Sequence, residues 1–216
     1  MKGVFVTGSN TGVGKTTVAV EIVRFLSQKQ NLKVRKPVET GCSYGDTAKG
    51  PKDAILLSGA CVQKEPLSVV CPYRFELEAS AESASNDAGE ALSLEGLVKA
   101  CQENTKGSFV LVEGAGGLYS PIAKMALNSD LAASLGLPLV IVTEDKLGAI
   151  SQALLTIAAA EKSKLNVLCV VLNQISKNSL SNRDAICAYT KTPVISFSLD
   201  GAKEFCLEFE RLIKDS

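Results

Sequence analysis

Short unbroken apolar runs alternate along this chain with longer stretches whose apolar residues recur every three or four positions. The first run, Val4-Phe5-Val6, predicts a strand. A glycine-rich turn leads from it into Thr16 to Gln28, where Val18, Ile22, Phe25 and Leu26 fall at helical spacing. Lys33 to Arg35 reads as a short strand ended at Lys36-Pro37, and Asp53 to Ala60 as a short helix. Glu76 to Glu90 is polar and rich in Ala, Ser and Glu, which predicts a loop or a frayed helix. Leu92 to Glu103 reads as a helix, and Phe109 to Val112 as a strand that stops at Glu113-Gly114-Ala115-Gly116-Gly117. Leu139 to Val142 is a further strand, Ile150 to Lys162 a helix, and Val167 to Leu172 a strand ending at Asn173. Ser181 to Thr190, Val194-Ile195 and Lys203 to Lys214 complete the series.

The strands are continuous apolar runs, not alternating ones, which marks strands covered on both faces by crossover helices. No linker or internal repeat interrupts the series, so residues 1–216 read as one doubly wound α/β domain. Its sheet should be mostly parallel, with helices on both faces. Ligands bind beyond the carboxyl ends of the strands in such sheets. Four chemically suggestive clusters lie at such ends, after Val6, Arg35, Val112 and Leu172.

Composition narrows the chemistry. Hydrophobic residues make up 46% and charged residues 21% of the 216, which argues against disorder. There is no histidine, which excludes Ser-His-Asp and Cys-His catalysis, histidine-ligated metals and an imidazole base. Lys+Arg and Asp+Glu are both 23, so no overall charge draws the chain to nucleic acid or to an anionic membrane. The seven cysteines are scattered, without a Cys-x-x-Cys pair. They read as reduced thiols of a cytoplasmic protein. The N-terminal apolar run is too short for a signal peptide, and no stretch approaches the length of a membrane span.

The strongest motif is Gly8-Ser9-Asn10-Thr11-Gly12-Val13-Gly14-Lys15-Thr16-Thr17, placed between strand and helix. Backbone N–H groups of such a loop wrap phosphate oxygens, and the helix that follows presents its positive end to the same anion. Lys15 would neutralise the β and γ phosphates, and the Thr16 hydroxyl would ligate Mg²⁺. The strict pattern has its first glycine where this chain has Ser9.

Mg²⁺ prefers hard oxygen ligands, and Glu113 and Asp53 are candidates. Their plainer readings are a strand-ending acid and a helix N-terminal acid. Lys36 either faces the crevice or points into solvent. Asn173 offers donor and acceptor to a purine edge, or simply caps a turn.

Taken together these residues resemble the dethiobiotin synthetases, ATP-dependent enzymes of biotin synthesis. The resemblance rests on the phosphate loop, on Lys36-Pro37-Val38-Glu39-Thr40-Gly41, on Asp53-Ala54, on Val112 to Gly117, on Lys146-Leu147-Gly148 and on Asn173. It implies formation of a carbamate from CO₂ on 7,8-diaminononanoate, phosphorylation of that carbamate by ATP, and ring closure by the second amine. Lys15 would hold the phosphates, and Gly12, Val13, Gly14, Thr16 and Thr17 would complete the nucleotide loop. Thr16, Asp53 and Glu113 would surround Mg²⁺, and Lys36 would stabilise the carbamate. Thr11, Thr40 and Gly116 would bound the diamine, with Thr11 beside the reacting groups, and Asn173 would read adenine. Gly148, Ala149, Ile150 and Ser151 would receive the substrate carboxylate, contributed by the neighbouring subunit of a homodimer. The chain departs from the family at Gly12, where many relatives have an acid, at Ala81-Glu82, in place of a Pro-His pair, and after Thr192, where the proline pattern is lost.

The main alternative is an ATP-driven switch of the partitioning type. Those loops carry a lysine five residues before the phosphate-loop lysine, and Asn10 stands there. A cobyrinate-type amidotransferase would need a further domain with Cys and His, and a small-molecule kinase would need an arginine-rich lid.

Overall fold

The computed structural model describes residues 1–42 and 50–215. The chain runs through β1 (Gly3–Gly8), α1 (Lys15–Leu26), β2 (Leu32–Arg35), β3 (Val38–Thr40), α2 (Lys52–Ala60), α3 (Leu67–Val70) and β4 (Tyr73–Phe75). It continues with α4 (Ala81–Asp87), α5 (Leu94–Gln102), β5 (Phe109–Gly117), β6 (Pro121–Ala123), β7 (Ala126–Leu127) and α6 (Asn128–Leu135). It ends with β8 (Leu139–Glu144), α7 (Ala149–Lys162), β9 (Val167–Asn173), α8 (Asn182–Cys187), β10 (Val194–Phe197) and α9 (Ala202–Asp215).

Six strands form one sheet in the order β10-β9-β8-β1-β5-β2, and every neighbouring pair is parallel. The unbroken apolar runs follow from this. Phe5, Val110, Val112, Leu139 and Ile141 point into one core with α4, α5, α6 and α7. Val4, Val6, Leu111, Val140 and Val142 point into the other with α1, α2 and α9. Both faces of the central strands are therefore dry, as the sequence pattern predicts.

Three features differ from the sequence reading. Residues 76–90 contain a regular helix, α4, opened by Ser80, whose Oγ accepts the Ser83 N–H at 3.2 Å. Such a cap stabilises a helix by about 1 kcal/mol. The buried face of α4 is Ala81, Ala84 and Ser85, too small and polar to register as an apolar stripe. Second, α6 and the short pairs β3–β4 and β6–β7 lack the long apolar runs that mark the main strands. Third, β5 does not stop at Glu113 but runs to Gly117.

That extension is a bulge. Val6 pairs with Glu113 and Gly8 with Gly117, so Thr7 alone on β1 faces Gly114, Ala115 and Gly116 on β5. The surplus residues swing out of the ladder at the carboxyl end of the sheet, where bulges commonly re-aim the backbone beside a site.

Candidate active site

The phosphate loop leaves β1 at Gly8 and enters α1 through Gly14, which takes φ 83°. A side chain is excluded there twice over, because a Cβ would also lie 2.1 Å from the Asn173 amide nitrogen. Lys15 opens α1 and folds back so that its Nζ lies 3.5 Å from the Asn10 carbonyl oxygen. Burial, and then the nearby Lys36 charge, hold the Lys15 pKa below its ordinary value, with Glu113 and Asp53 pulling the other way.

Beside the loop, β2 and β5 pair with Arg35 opposite Val112. The next residues, Lys36 and Glu113, therefore emerge side by side. Lys36 Nζ donates to Glu113 Oε1 at 2.6 Å, to Asp53 Oδ2 at 2.8 Å and to the Gly114 carbonyl at 3.3 Å. The Thr16 hydroxyl donates to the same Glu113 oxygen at 2.9 Å. Burial alone would lower the Lys36 pKa, but the Glu113 and Asp53 charges carry it above the ordinary lysine value. Burial likewise opposes ionisation of Asp53, and Lys36 with Thr16 overrides it, holding the carboxyl below the ordinary range.

A cavity of about 740 Å³ opens beside these groups. Thr11, Gly12, Gly14, Lys15, Thr16 and Thr17 form its loop side. Lys36, Asp53, Thr40 and Gly116 also line it, so most of the residues singled out in the sequence converge here. Val13 and Glu113 sit behind the wall, at 3% and 0% exposure.

Two predictions fall elsewhere. Asn173 is 4% exposed and does not line the cavity. Its Nδ2 donates to the Val13 carbonyl at 2.9 Å, so one amide N–H is committed to bracing the loop from behind. An adenine contact would rest on the remainder of the amide. Gly148, Ala149, Ile150 and Ser151 also do not line the cavity of their own chain. They form the start of α7, where Gly148 takes φ 93° at the N-cap.

Two residues escaped the sequence reading. Glu39, on β3, accepts the backbone N–H groups of Asp53 and Ala54, each at 3.0 Å. The acid stands inside the Lys-Pro-Val segment, but no local pattern ties it to a helix fourteen residues on. Asn128, 0% exposed, pins the β5 bulge. Its Oδ1 accepts the Ala115 N–H at 3.2 Å. Its Nδ2 donates to the carbonyls of Ala115 at 2.7 Å, Gly117 at 2.9 Å and Ser120 at 3.3 Å. No sequence signal links an isolated Asn to a glycine turn eleven residues earlier.

The donor set suits a small hard cation. Thr16, Asp53 and Glu113 offer oxygen only, which is Mg²⁺ chemistry. Glu113 Oε2 is buried with no hydrogen-bond partner among the described residues, a cost that a cation would relieve. The Lys36 ammonium now neutralises the same two carboxylates.

Known proteins resemble this chain in sequence and in fold. A family model described as an AAA domain matches residues 2–197. The ATP-dependent dethiobiotin synthetase BioD of Vesicomyosocius okutanii is 45% identical over 213 residues, covering 99% of this chain and 97% of its own length. The protein of the same name from Ruthia magnifica is 46% identical over 214 residues, with 99% and 97% covered. Among solved structures, a ParA family ATPase from Chlorobium tepidum superposes with a TM-score of 0.58 at 14% identity, over 100% of this chain and 93% of that one. That likeness speaks for the fold alone.

Proposed function

The chain belongs to the ATP-dependent dethiobiotin synthetase family, and from that premise we propose how its crevice closes a ureido ring. The substrates are 7,8-diaminononanoate, CO₂ and ATP, and the products are dethiobiotin, ADP and phosphate. One amine takes up CO₂ as a carbamate. The carbamate oxygen attacks the γ-phosphorus, ADP leaves, and the second amine displaces phosphate from the mixed anhydride to form the ring.

Little covalent work falls to the protein, because phosphoryl transfer depends on positioning and charge stabilisation. The loop amides and Lys15 hold the phosphate chain. Lys36, fixed in its charged form by Glu113 and Asp53, stabilises the carbamate and its phosphorylated form. Thr11, Thr40 and Gly116 bound the diamine, and Asn173 braces the loop and meets adenine with the rest of its amide. Thr16, Asp53 and Glu113 would hold Mg²⁺, which would neutralise phosphate charge as the phosphoryl group moves. No step needs an imidazole, in keeping with a chain that has none.

Gly148, Ala149, Ile150 and Ser151 would receive the distal carboxylate from a second copy in a homodimer. Support comes from the positive end that a helix start presents to an anion, α7 beginning at Ala149 after the Gly148 N-cap. The balanced charge supports small-molecule substrates rather than nucleic acid. Among the described residues no helix is long and apolar enough to cross a membrane. A cytoplasmic enzyme is the reading this supports, together with the scattered thiols.

The observation that carries the reading is the convergence of Lys15, Thr16, Lys36 and Asp53 on one cavity. The experiment supplies diamine, bicarbonate, Mg²⁺ and ATP and looks for dethiobiotin by mass. ATP hydrolysis indifferent to the diamine, without that product, would point to a nucleotide switch instead.

A further inference from the structure

We propose that Glu39 is a positioning residue, whose carboxylate sets the start of α2 and thereby holds Asp53 at the cation site. The inference rests on the assignment of Asp53 to that site. Helix α2 opens at Pro51, which makes no side-chain cap bond, although the first amides of a helix need partners. Glu39 meets that need from another element. One carboxylate oxygen takes the Asp53 N–H and the other takes the Ala54 N–H, both at 3.0 Å.

An adjacent Ser, Thr or Asp would cap the helix equally well. The acceptor here comes instead from β3, three residues after Lys36, and it stands in the cavity wall. It is only 8% exposed. Burial pushes the Glu39 carboxyl above its ordinary value, against the two backbone hydrogen bonds that favour its charged form.

The geometric consequence is specific. The residue whose backbone N–H is gripped is the same residue whose side chain reaches Lys36 at 2.8 Å. Glu39 thus ties the segment bearing Lys36 to the segment bearing Asp53, so that the lysine and the carboxylate keep their separation. It touches neither reacting atoms nor, in this assignment, the metal.

The test uses the full chain with Glu39→Gln and Glu39→Ala. The readout is the Mg²⁺ concentration that half-saturates binding of a fluorescent, non-hydrolysable ATP analogue, with thermal unfolding followed in parallel. Removing hydrogen bonds to a charged group should raise that concentration about tenfold in Glu39→Ala. Glu39→Gln, which keeps one acceptor oxygen, should show a rise of about threefold. Binding without Mg²⁺ should be unchanged. Lower unfolding temperatures with a wild-type Mg²⁺ dependence in both variants would reduce Glu39 to a helix cap and overturn the proposal. Should Glu39→Ala not fold, Glu39→Gln decides alone. Failure of the dethiobiotin reading shows separately, as a wild-type chain that binds Mg²⁺ and nucleotide but forms no product.

Discussion

Lys36 and Glu113 lie against each other at 2.6 Å with side-chain exposures of 4% and 0%. Neither could be stable there alone. Removing one partner of a buried ion pair leaves an uncompensated charge and costs about 3–5 kcal/mol. Lys36→Ala should therefore lose ring closure and also a large part of the fold's stability. The double variant Lys36→Met with Glu113→Gln should recover most of the stability and none of the activity. Denaturant unfolding and product assay read the two effects, and a double variant no more stable than Lys36→Ala would argue against the pairing. The sign with pH follows from the raised Lys36 pKa. The Lys36 charge contributes its stability below the ordinary lysine value of 10.5, and that contribution is lost as pH rises above it.

Lys15 behaves in the opposite sense. Its folded pKa is depressed, first by burial and then by Lys36, so it loses its charge at a lower pH than a free lysine. ATP affinity should fall as pH rises, beginning below 10.5. Lys15→Arg, whose charge does not titrate in this range, should lack that decline. Calorimetric titration of both forms checks this, and parallel pH curves would remove Lys15 as the cause.

Asn128 holds the bulge by three hydrogen bonds to Ala115 and Gly117, with a fourth to the Ser120 carbonyl beyond it. Asn128→Ala should lower the unfolding free energy by about 2–3 kcal/mol, given the buried groups it leaves unpaired. It should also raise KM for the diamine more than it lowers kcat, because the Gly116 wall moves while Lys15 and Lys36 stay in place. A variant with lowered stability but unchanged KM would confine Asn128 to the scaffold.

Asn173→Ala removes the brace on Val13. ATP binding should weaken about tenfold, and the diamine KM, measured at saturating ATP, should hold. Comparing ATP with GTP in the variant separates loop bracing, which affects both alike, from base reading, which affects ATP more.

Much of this was legible in the sequence because the relevant signals are local. The phosphate loop is contiguous, and five of the six sheet strands announce themselves as apolar runs, β2 with its Lys33 and Arg35 being the exception. The acids and lysines at strand ends were visible as candidates. Their mutual arrangement was not, because the pairing of Lys36 with Glu113 depends on the register of β2 against β5, and that is set by the whole sheet. The sequence leaves Lys36 either facing the crevice or pointing into solvent; the register turns it inward and makes it a buried counter-ion to Glu113. Glu39 and Asn128 were missed for a related reason. Each acts on backbone atoms far along the chain, and backbone atoms carry no residue identity to search for. Helix α4 was blurred because its buried face consists of alanine and serine.

The bulge between Val6–Glu113 and Gly8–Gly117 also says what kind of genetic change the enzyme can absorb. Side chains alternate faces along a strand, so a one-residue slip reverses every position beyond it. Deleting a single codon within 114–116 would leave an unbroken reading frame and a familiar-looking glycine motif. It would nevertheless turn the carboxyl end of β5 the wrong way round. Change in the length of this turn is therefore closed to the lineage, and substitution is confined as well, because a Cβ on Gly114 would lie 2.5 Å from the Asn128 Oδ1 and one on Gly116 2.5 Å from the Ser120 Oγ.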